Sequence, residues 1–368
     1  MLKYGESVER VSYSIDSVLV RTVVRGAAST IDNVTDSSEL LTVNYEKEAV
    51  FHISDGEVKQ AGPLNPGEEI GGQVAIKVAV DFDANFFGEV SNAAKTFDTG
   101  DLTTLVSNGT PFAETTTTVP QMVSLMPAKL RRNNQTLSNL VFVTDSFGAG
   151  LMSQFLLGKS IDLAGSVYAN GYTGDVSNAK MYVSENLTGN TTLTTATNPT
   201  TTDTIVYNGV TITFLATLTG AASEIHIASS ADITRANLAE WFNAGGTASE
   251  TEDTDTGYSA ASAADQVLLT GITATNDNTA NTLTIKQVGS GALVLSDTLT
   301  AAEGFTLNYI SAYFGKKGAI DAVMQDVKQV DMRTTADRRG TNVFSSCLGG
   351  YKTFTDGSKK FLNVKLAR

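Results

Sequence analysis

The chain has 368 residues, 41% hydrophobic and 8% aromatic, which is enough apolar material for two or three domains with buried cores and excludes a disordered polymer. One cysteine excludes a disulfide framework, a thiolate zinc site and an iron–sulfur cluster, and two histidines, His52 and His226, leave no histidine-rich metal site. The net charge of −13 divides into −9 over 1–187, −10 over 188–306 and +6 over 307–368, so the middle zone, rich in threonine from Thr188 to Thr202, reads as an inserted module.

The opening Met-Leu-Lys-Tyr-Gly-Glu lacks the apolar stretch of a signal peptide, and no apolar run reaches the roughly 18 residues that span a bilayer. The expectation is a soluble chain made in a cytoplasm. Period-two alternation through Val11, Tyr13, Ile15, Val18 and Val20 predicts an extended arm or strand over 8–24. The polar stretch 31–39 reads as loop, 41–53 as strand, and 61–72, with two prolines and several glycines, as a mobile connection. Over 73–97 the apolar spacing changes to threes and fours, predicting a long amphipathic helix in which Gly88 invites a bend.

A second helix is expected over 119–132, with Pro120 suited to its first turn and Pro127 implying a kink or an early end. Leu140–Val143 reads as a buried strand. A helix capped by Asp145 or Ser146 should follow and run to Leu157, with further strands between Tyr172 and Asn186. In the middle zone Asn208-Gly209 between alternating apolar runs predicts a tight hairpin over 203–216. A strand near 225–228, a helix over 231–244 ended by Gly245-Gly246, and strands over 283–288 and 292–295 complete a small α+β module. The tail should hold strands over 319–330, 343–351 and 361–366.

Three patterns imitate catalytic or binding sites. Val141 through Gly150 places Ser146 between a strand and a helix, as in GDS-type esterases, but no histidine follows His226 to act as base, and Ser223 stands where that motif has aspartate; a helix cap is the simpler reading. Ser153 through Gly158-Lys159-Ser160 imitates a phosphate-binding loop, yet Phe155, Leu156 and Leu157 are too bulky to let backbone amides wrap a phosphate. Asp81 with Asp83, and Glu250-x-Glu252-Asp253-x-Asp255, lack calcium-loop spacing and read as a charged helix edge and a solvated loop. No catalytic, cofactor-binding or metal residue is therefore assigned, and the chain reads as non-enzymatic. The basic residues of Lys129-Leu-Arg131-Arg132 and of Arg333 through Arg338-Arg339 have no interleaved aromatics. Arg131, Arg132, Arg338 and Arg339 read as inter-subunit or DNA-facing cations making weak, sequence-blind contacts.

Taken in order, the pieces resemble the major capsid proteins of tailed bacteriophages, with the Hong Kong ninety-seven-type fold. The residues that carry the resemblance are the N-terminal arm, the Gly/Pro-rich stretch 41–72, and the helix with Ala79-Val-Asp-Phe-Asp83. They continue with Ala128-Lys-Leu-Arg-Arg-Asn-Asn134, the run Asn170 to Val176, Lys180 to Leu187, Met332-Arg333 and Gly349-Gly350-Tyr351-Lys352. The resemblance implies an α+β fold with an N-arm (1–40), an extended loop (41–72), a spine helix and first part of the core of peripheral and axial domains (73–187), and strands closing the core (307–368). The acidic, Thr-rich segment 188–306 interrupts it as a small β-rich inserted domain. It also implies a structural protein that self-assembles, as hexamers and pentamers, into an icosahedral shell around packaged double-stranded DNA. The implied partners are other copies, with scaffolding, portal and decoration proteins, DNA by non-specific contact and no membrane. The implied location is the virion after synthesis in a bacterial cytoplasm. A tail-tube or decoration protein, or a serine esterase using Ser146, is the alternative.

Overall fold

The computed structural model describes residues 7–14, 18–22, 25, 28, 31–32, 35–56, 66–157, 175–176, 179–289, 293–300, 303–334 and 340–367. They fall into two compact units, Met1–Phe82 with Gly318–Ser358, and Asp83–Lys317 with Lys359–Arg368.

The first unit is built of ribbons. Strand β1 (Ser7–Ser14) pairs antiparallel with β2 (Thr35–Thr42), Ser7 opposite Thr42 and Ser14 opposite Thr35. The expected loop over 31–39 is thus strand from Thr35 onward: backbone pairing specifies it, so the apolar alternation that a half-buried strand shows is absent. Strand β3 (Tyr45–Ser54) pairs along its whole length with β17 (Gly340–Lys352), which also pairs with β16 (Asp321–Thr334). Its partner therefore comes from the far end of the chain; of the expected extended loop 41–72, residues 57–65 lie outside the described residues. Among the described residues, Tyr45, Phe82 and Cys347 form one buried cluster with Val78 and Tyr351 against them, the Tyr45 and Phe82 rings edge-to-face at 5.2 Å. Arg10 fastens β1 by salt bridges to Asp321 (2.5 Å) and Asp356 (2.7 Å), with its guanidinium over the Phe354 ring.

The long helix α1 spans Pro66–Gly88, seven residues earlier at its start and nine earlier at its end than the periodicity predicts. Pro66 has the fixed φ that suits a first helical turn. At Gly88 the chain tightens into a 3₁₀ turn (Glu89–Asn92) and then enters the short strand β4 (Lys95–Phe97). A Cβ on Gly88 would meet Val288 at 3.0 Å, so the glycine permits a close approach rather than a mid-helix bend.

In the second unit, α2 (Thr118–Arg132) continues past the buried Pro127, which does not end it early, into a last turn carrying Lys129, Arg131 and Arg132. Strand β5 (Leu140–Thr144) leads to α3 (Ser146–Leu157), where the Asp145 carboxylate accepts the Gly148 N–H at 3.0 Å. Strands β6 (Asp175–Val176) and β7 (Ala179–Val183) follow.

The segment 188–306 shares a sheet with this core while keeping an apolar interior of its own. Strands β8 (Thr188–Thr194), β12 (Ile272–Asp277) and β13 (Thr282–Gln287) join β5, β6 and β7 through β15 (Gly304–Lys316), in the order β12-β13-β8-β15-β5-β7-β6. One edge of β15 pairs first with β8 (304–311) and then with β5 (313–316); its other edge takes β18 (Phe361–Ala367), which pairs in turn with β4. Buried Asn190 and Ser311 hydrogen-bond at 3.0 Å near the fork. A second sheet orders β11 (Glu224–His226), β10 (Val210–Leu215), β9 (Thr204–Tyr207) and β14 (Leu295–Asp297). Asn208 and Gly209, at φ 53° and 88°, make the tight β9–β10 turn that their identities predict.

Helix α4 (Ala231–Asn243), capped by the Ser230 hydroxyl, packs Leu238, Trp241 and Phe242 against Tyr207, Ile212, Phe214, Leu269 and Ile285. Helix α5 (Ala263–Leu268) follows and, in the tail, α6 (Thr355–Ser358). Both cations of 188–306 serve internal contacts. Arg235 is buried against Asp232, Asn276 and the Thr195 carbonyl; Lys286 donates to the Gly88 carbonyl (2.7 Å) and Ser91 hydroxyl (2.6 Å).

Candidate assembly surfaces

Ser146 begins α3, with its backbone N–H given to the Glu185 carboxylate at 2.9 Å. Among the described residues no histidine hydrogen-bonds to it. His52 pairs with Asn342 at 2.7 Å, and His226 is buried on β11 with Nδ1 3.8 Å from Glu252. Helix α3 ends at Leu157, where Ser153 donates to the Ala149 carbonyl; Gly158, Lys159 and Ser160 lie outside the described residues. Asp81 accepts the Tyr45 hydroxyl at 2.5 Å, and burial together with that carboxylate pushes the Tyr45 phenol up. Burial likewise raises the Asp83 carboxyl. Among the described residues, no three of His, Cys, Asp and Glu converge where a metal ion could sit.

The loop 250–255 is more ordered than a merely solvated loop. Glu252 accepts the Leu218 N–H at 2.6 Å. Asp255 accepts the N–H and hydroxyl of Ser229, contacts that hold its carboxyl below the usual range. Glu250 and Asp253 remain exposed.

The basic residues separate by helix face. Arg131 and Arg132 are exposed at the end of α2, Arg132 donating to the carbonyls of Thr104 (2.9 Å) and Leu105 (3.4 Å). Lys129, read with them as one surface cluster, is instead buried, 5% exposed. Its ammonium meets the Asp101 carboxylate and the Ser107 hydroxyl (2.6 Å) over the Phe97 ring. The correction has a sequence signal: Lys129 falls on the stripe of Met122, Met126 and Leu130, and Asp98-Thr-Gly-Asp101 carries the spacing of a reciprocal cap. The Asp98 carboxylate takes the N–H groups of Gly100 (3.1 Å), Asn108 (3.0 Å) and Gly109 (2.8 Å), while Asp101 accepts the N–H of Asp98 (2.9 Å). Arg338 and Arg339 lie outside the described residues.

The first unit presents long strand edges. In its three-stranded sheet, in the order β16-β17-β3, the outer edges of β3 and β16 have no strand partner among the described residues. Glu46, Lys47, Glu48 and Val50 are exposed along β3. Such edges expose rows of N–H and C=O groups, which are a hazard in an isolated molecule and an attachment point in an assembly.

No protein-family model and no curated protein matches the sequence. Solved structures do. A capsid structure of the cyanophage P-SCSP1u superposes at TM-score 0.51 with 12% identity, covering 100% of this chain and 85% of that one. A chain of Mycobacterium phage Che8 superposes at TM-score 0.50 with 13% identity, covering 98% and 84%. The chain has the phage major-capsid fold. That is the fold the resemblance in the sequence implies. No helix among the described residues is long and apolar enough to cross a membrane.

Proposed function

We propose that the chain is the major capsid protein of a tailed phage, whose copies tile as hexamers and pentamers into an icosahedral shell around packaged double-stranded DNA. The observation that carries this reading is the whole-length match to a phage capsid fold. The long strand edges of the first unit, suited to completion by another copy, are consistent with it. The role is structural rather than enzymatic, with scaffolding, portal and decoration proteins as further partners and with synthesis in the bacterial cytoplasm before incorporation into the virion.

Within this reading 1–40 is the arm, 41–72 the extended element reaching a neighbour, 73–187 and 307–368 the core, and 188–306 an acidic elaboration. A surface of charge −10 is repelled by phosphate at short range, so 188–306 faces outward while the cations Arg131, Arg132, Arg338 and Arg339 serve subunit contacts or weak contact with DNA. Electron microscopy of the chain expressed in bacteria tests the assignment. Closed icosahedral shells with 188–306 on the outer surface are expected; monomers or rods under all assembly conditions contradict it, and density for 188–306 on the inner surface contradicts its orientation.

A further inference from the structure

We infer that the loop 98–110 and the end of α2 form a seat for the acidic loop 250–255 of a neighbouring copy of this chain. The inference rests on the capsid reading and names one contact within it.

The loop 98–110 is unusual in how it is held. Its base is fixed by three buried charges, Asp98, Asp101 and Lys129, satisfied by one another, by backbone N–H groups and by Ser107. Its tip nevertheless faces solvent. Val106 is 61% exposed, and Leu105 beside it sits at φ 56°, a left-handed conformation that a branched side chain resists. Arg132 clamps the same tip through the carbonyls of Thr104 and Leu105. Solubility demands none of this, whereas a contact surface gains from being ordered before its partner arrives.

The seat therefore presents an apolar knob beside the Arg132 guanidinium, with Arg131 exposed next to it in sequence at the end of α2, and among the described residues neither arginine is salt-bridged to a carboxylate of its own chain. Charge identifies the occupant. The segment 188–306 carries net charge −10 and turns both of its cations, Arg235 and Lys286, onto internal partners. Its loop 250–255 is itself fixed, by Glu252 on Leu218, by Asp255 on Ser229 and by a turn in which the Asp253 N–H meets the Thr256 carbonyl at 2.8 Å. Glu250, whose carboxylate hydrogen-bonds Tyr258, and Asp253, which accepts the Thr254 N–H at 2.7 Å, are both exposed on that fixed loop. Two rigid carboxylates match two guanidiniums. Nucleic acid is the poorer occupant, because two cations around an exposed valine offer few phosphate contacts and no stacking surface.

The test is charge reversal in the full chain, read by electron microscopy and sedimentation of assembled particles. R131E/R132E is expected to lower particle yield at least about tenfold, since like charges then face each other, while circular dichroism stays that of the folded chain and the thermal midpoint falls only slightly, through loss of the Arg132 hydrogen bonds to Thr104 and Leu105. E250K/D253K should give the same defect, and the two pairs combined should restore particles. Wild-type yield from R131E/R132E, or no restoration in the combined variant, overturns the inference. Full shells that fail to retain DNA also overturn it, in favour of phosphate contact. If the unmodified chain forms no shells at all, it is the capsid reading itself that fails.

Discussion

Two regions of this molecule solve the problem of the strand edge in opposite ways. In 188–306 the edges are closed from within: the Asn243 side-chain amide accepts the Ala274 N–H at 2.7 Å and donates to the Ala274 carbonyl at 2.9 Å, on the side where β12 has no strand neighbour among the described residues. On the other sheet the chain bends back so that His226 and Glu224 of β11 pair with Gly257 and Ser259. The ribbon unit does neither. Its strands are longer, and the outer edges of β3 and β16 lie open among the described residues. Intrinsic stability therefore belongs to the acidic segment, and the ribbons depend on what they pair with.

The largest expected effect breaks the self-sufficient side of that contrast. Trp241 is fully buried, edge-to-face with Phe242, with its indole N–H on the Ser259 carbonyl at 2.9 Å. Trp241→Ala should cost about 3–5 kcal/mol in denaturant unfolding, from lost burial plus the cavity. A loss below about 1 kcal/mol would mean that 188–306 lacks the tight core described. Next in size is Lys129→Ala, which strands the Asp101 carboxylate and should cost about 3 kcal/mol. Replacing the pair together (Lys129→Met with Asp101→Leu) should recover much of that loss, and equal losses in the two variants would contradict the buried-pair account. Asn243→Ala should cost about 1–3 kcal/mol by leaving Ala274 unpaired at a partly buried edge. It should also make the protein self-associate in sedimentation, because it opens an edge of the kind the ribbon unit already has.

How legible all this was in the sequence follows from the same contrast. Where burial or turn chemistry dictates the pattern, the residues announce their structure: the helix of α2, the Asn208-Gly209 turn and the run Leu140–Val143. Backbone pairing by itself leaves little trace, so β2 with its Asp36, Ser37 and Ser38 resembles a loop. Strand β8, written Thr-Gly-Asn-Thr-Thr-Leu-Thr, resembles a low-complexity stretch although Thr188 and Thr191 are buried. The join at β15 was hidden for another reason. The compositional boundary near residue 306 falls inside the strand, because charge is a surface property and the strand is shared. The candidate site was half legible: Arg131 and Arg132 sit at the surface as read, but the acids that order the loop beside them show their purpose only once Lys129 is seen to be buried.

Arg10 probes the ribbon side with a smaller effect. Its bridges to Asp321 and Asp356 are about one-third exposed, so Arg10→Ala should cost roughly 1 kcal/mol or less in the isolated chain. If the ribbons matter chiefly in assembly, particle yield should fall much further than that modest loss suggests. Equal, small effects on both would remove the asymmetry between the two regions.

The smallest expected effect concerns pH and the place where β13 meets the end of α1. Lys286 gives its ammonium to the Gly88 carbonyl and Ser91 hydroxyl, and a Cβ on Gly289 would meet Ala84 at 2.7 Å, so the two elements are in close contact. Burial holds the ammonium below its ordinary value of 10.5, against a lesser opposing pull from Glu89. The sign follows from proton counting: above its lowered folded value the native lysine has released a proton that the unfolded one still binds, so stability rises with pH up to the ordinary lysine range. Lys286→Met keeps the aliphatic packing and removes the titration, so its unfolding free energy should lack that rise while differing little from wild type at neutral pH. A wild-type stability that falls between pH 8 and pH 10 by the same amount in both proteins would show that the lysine is solvated and that the end of α1 is not held from 188–306.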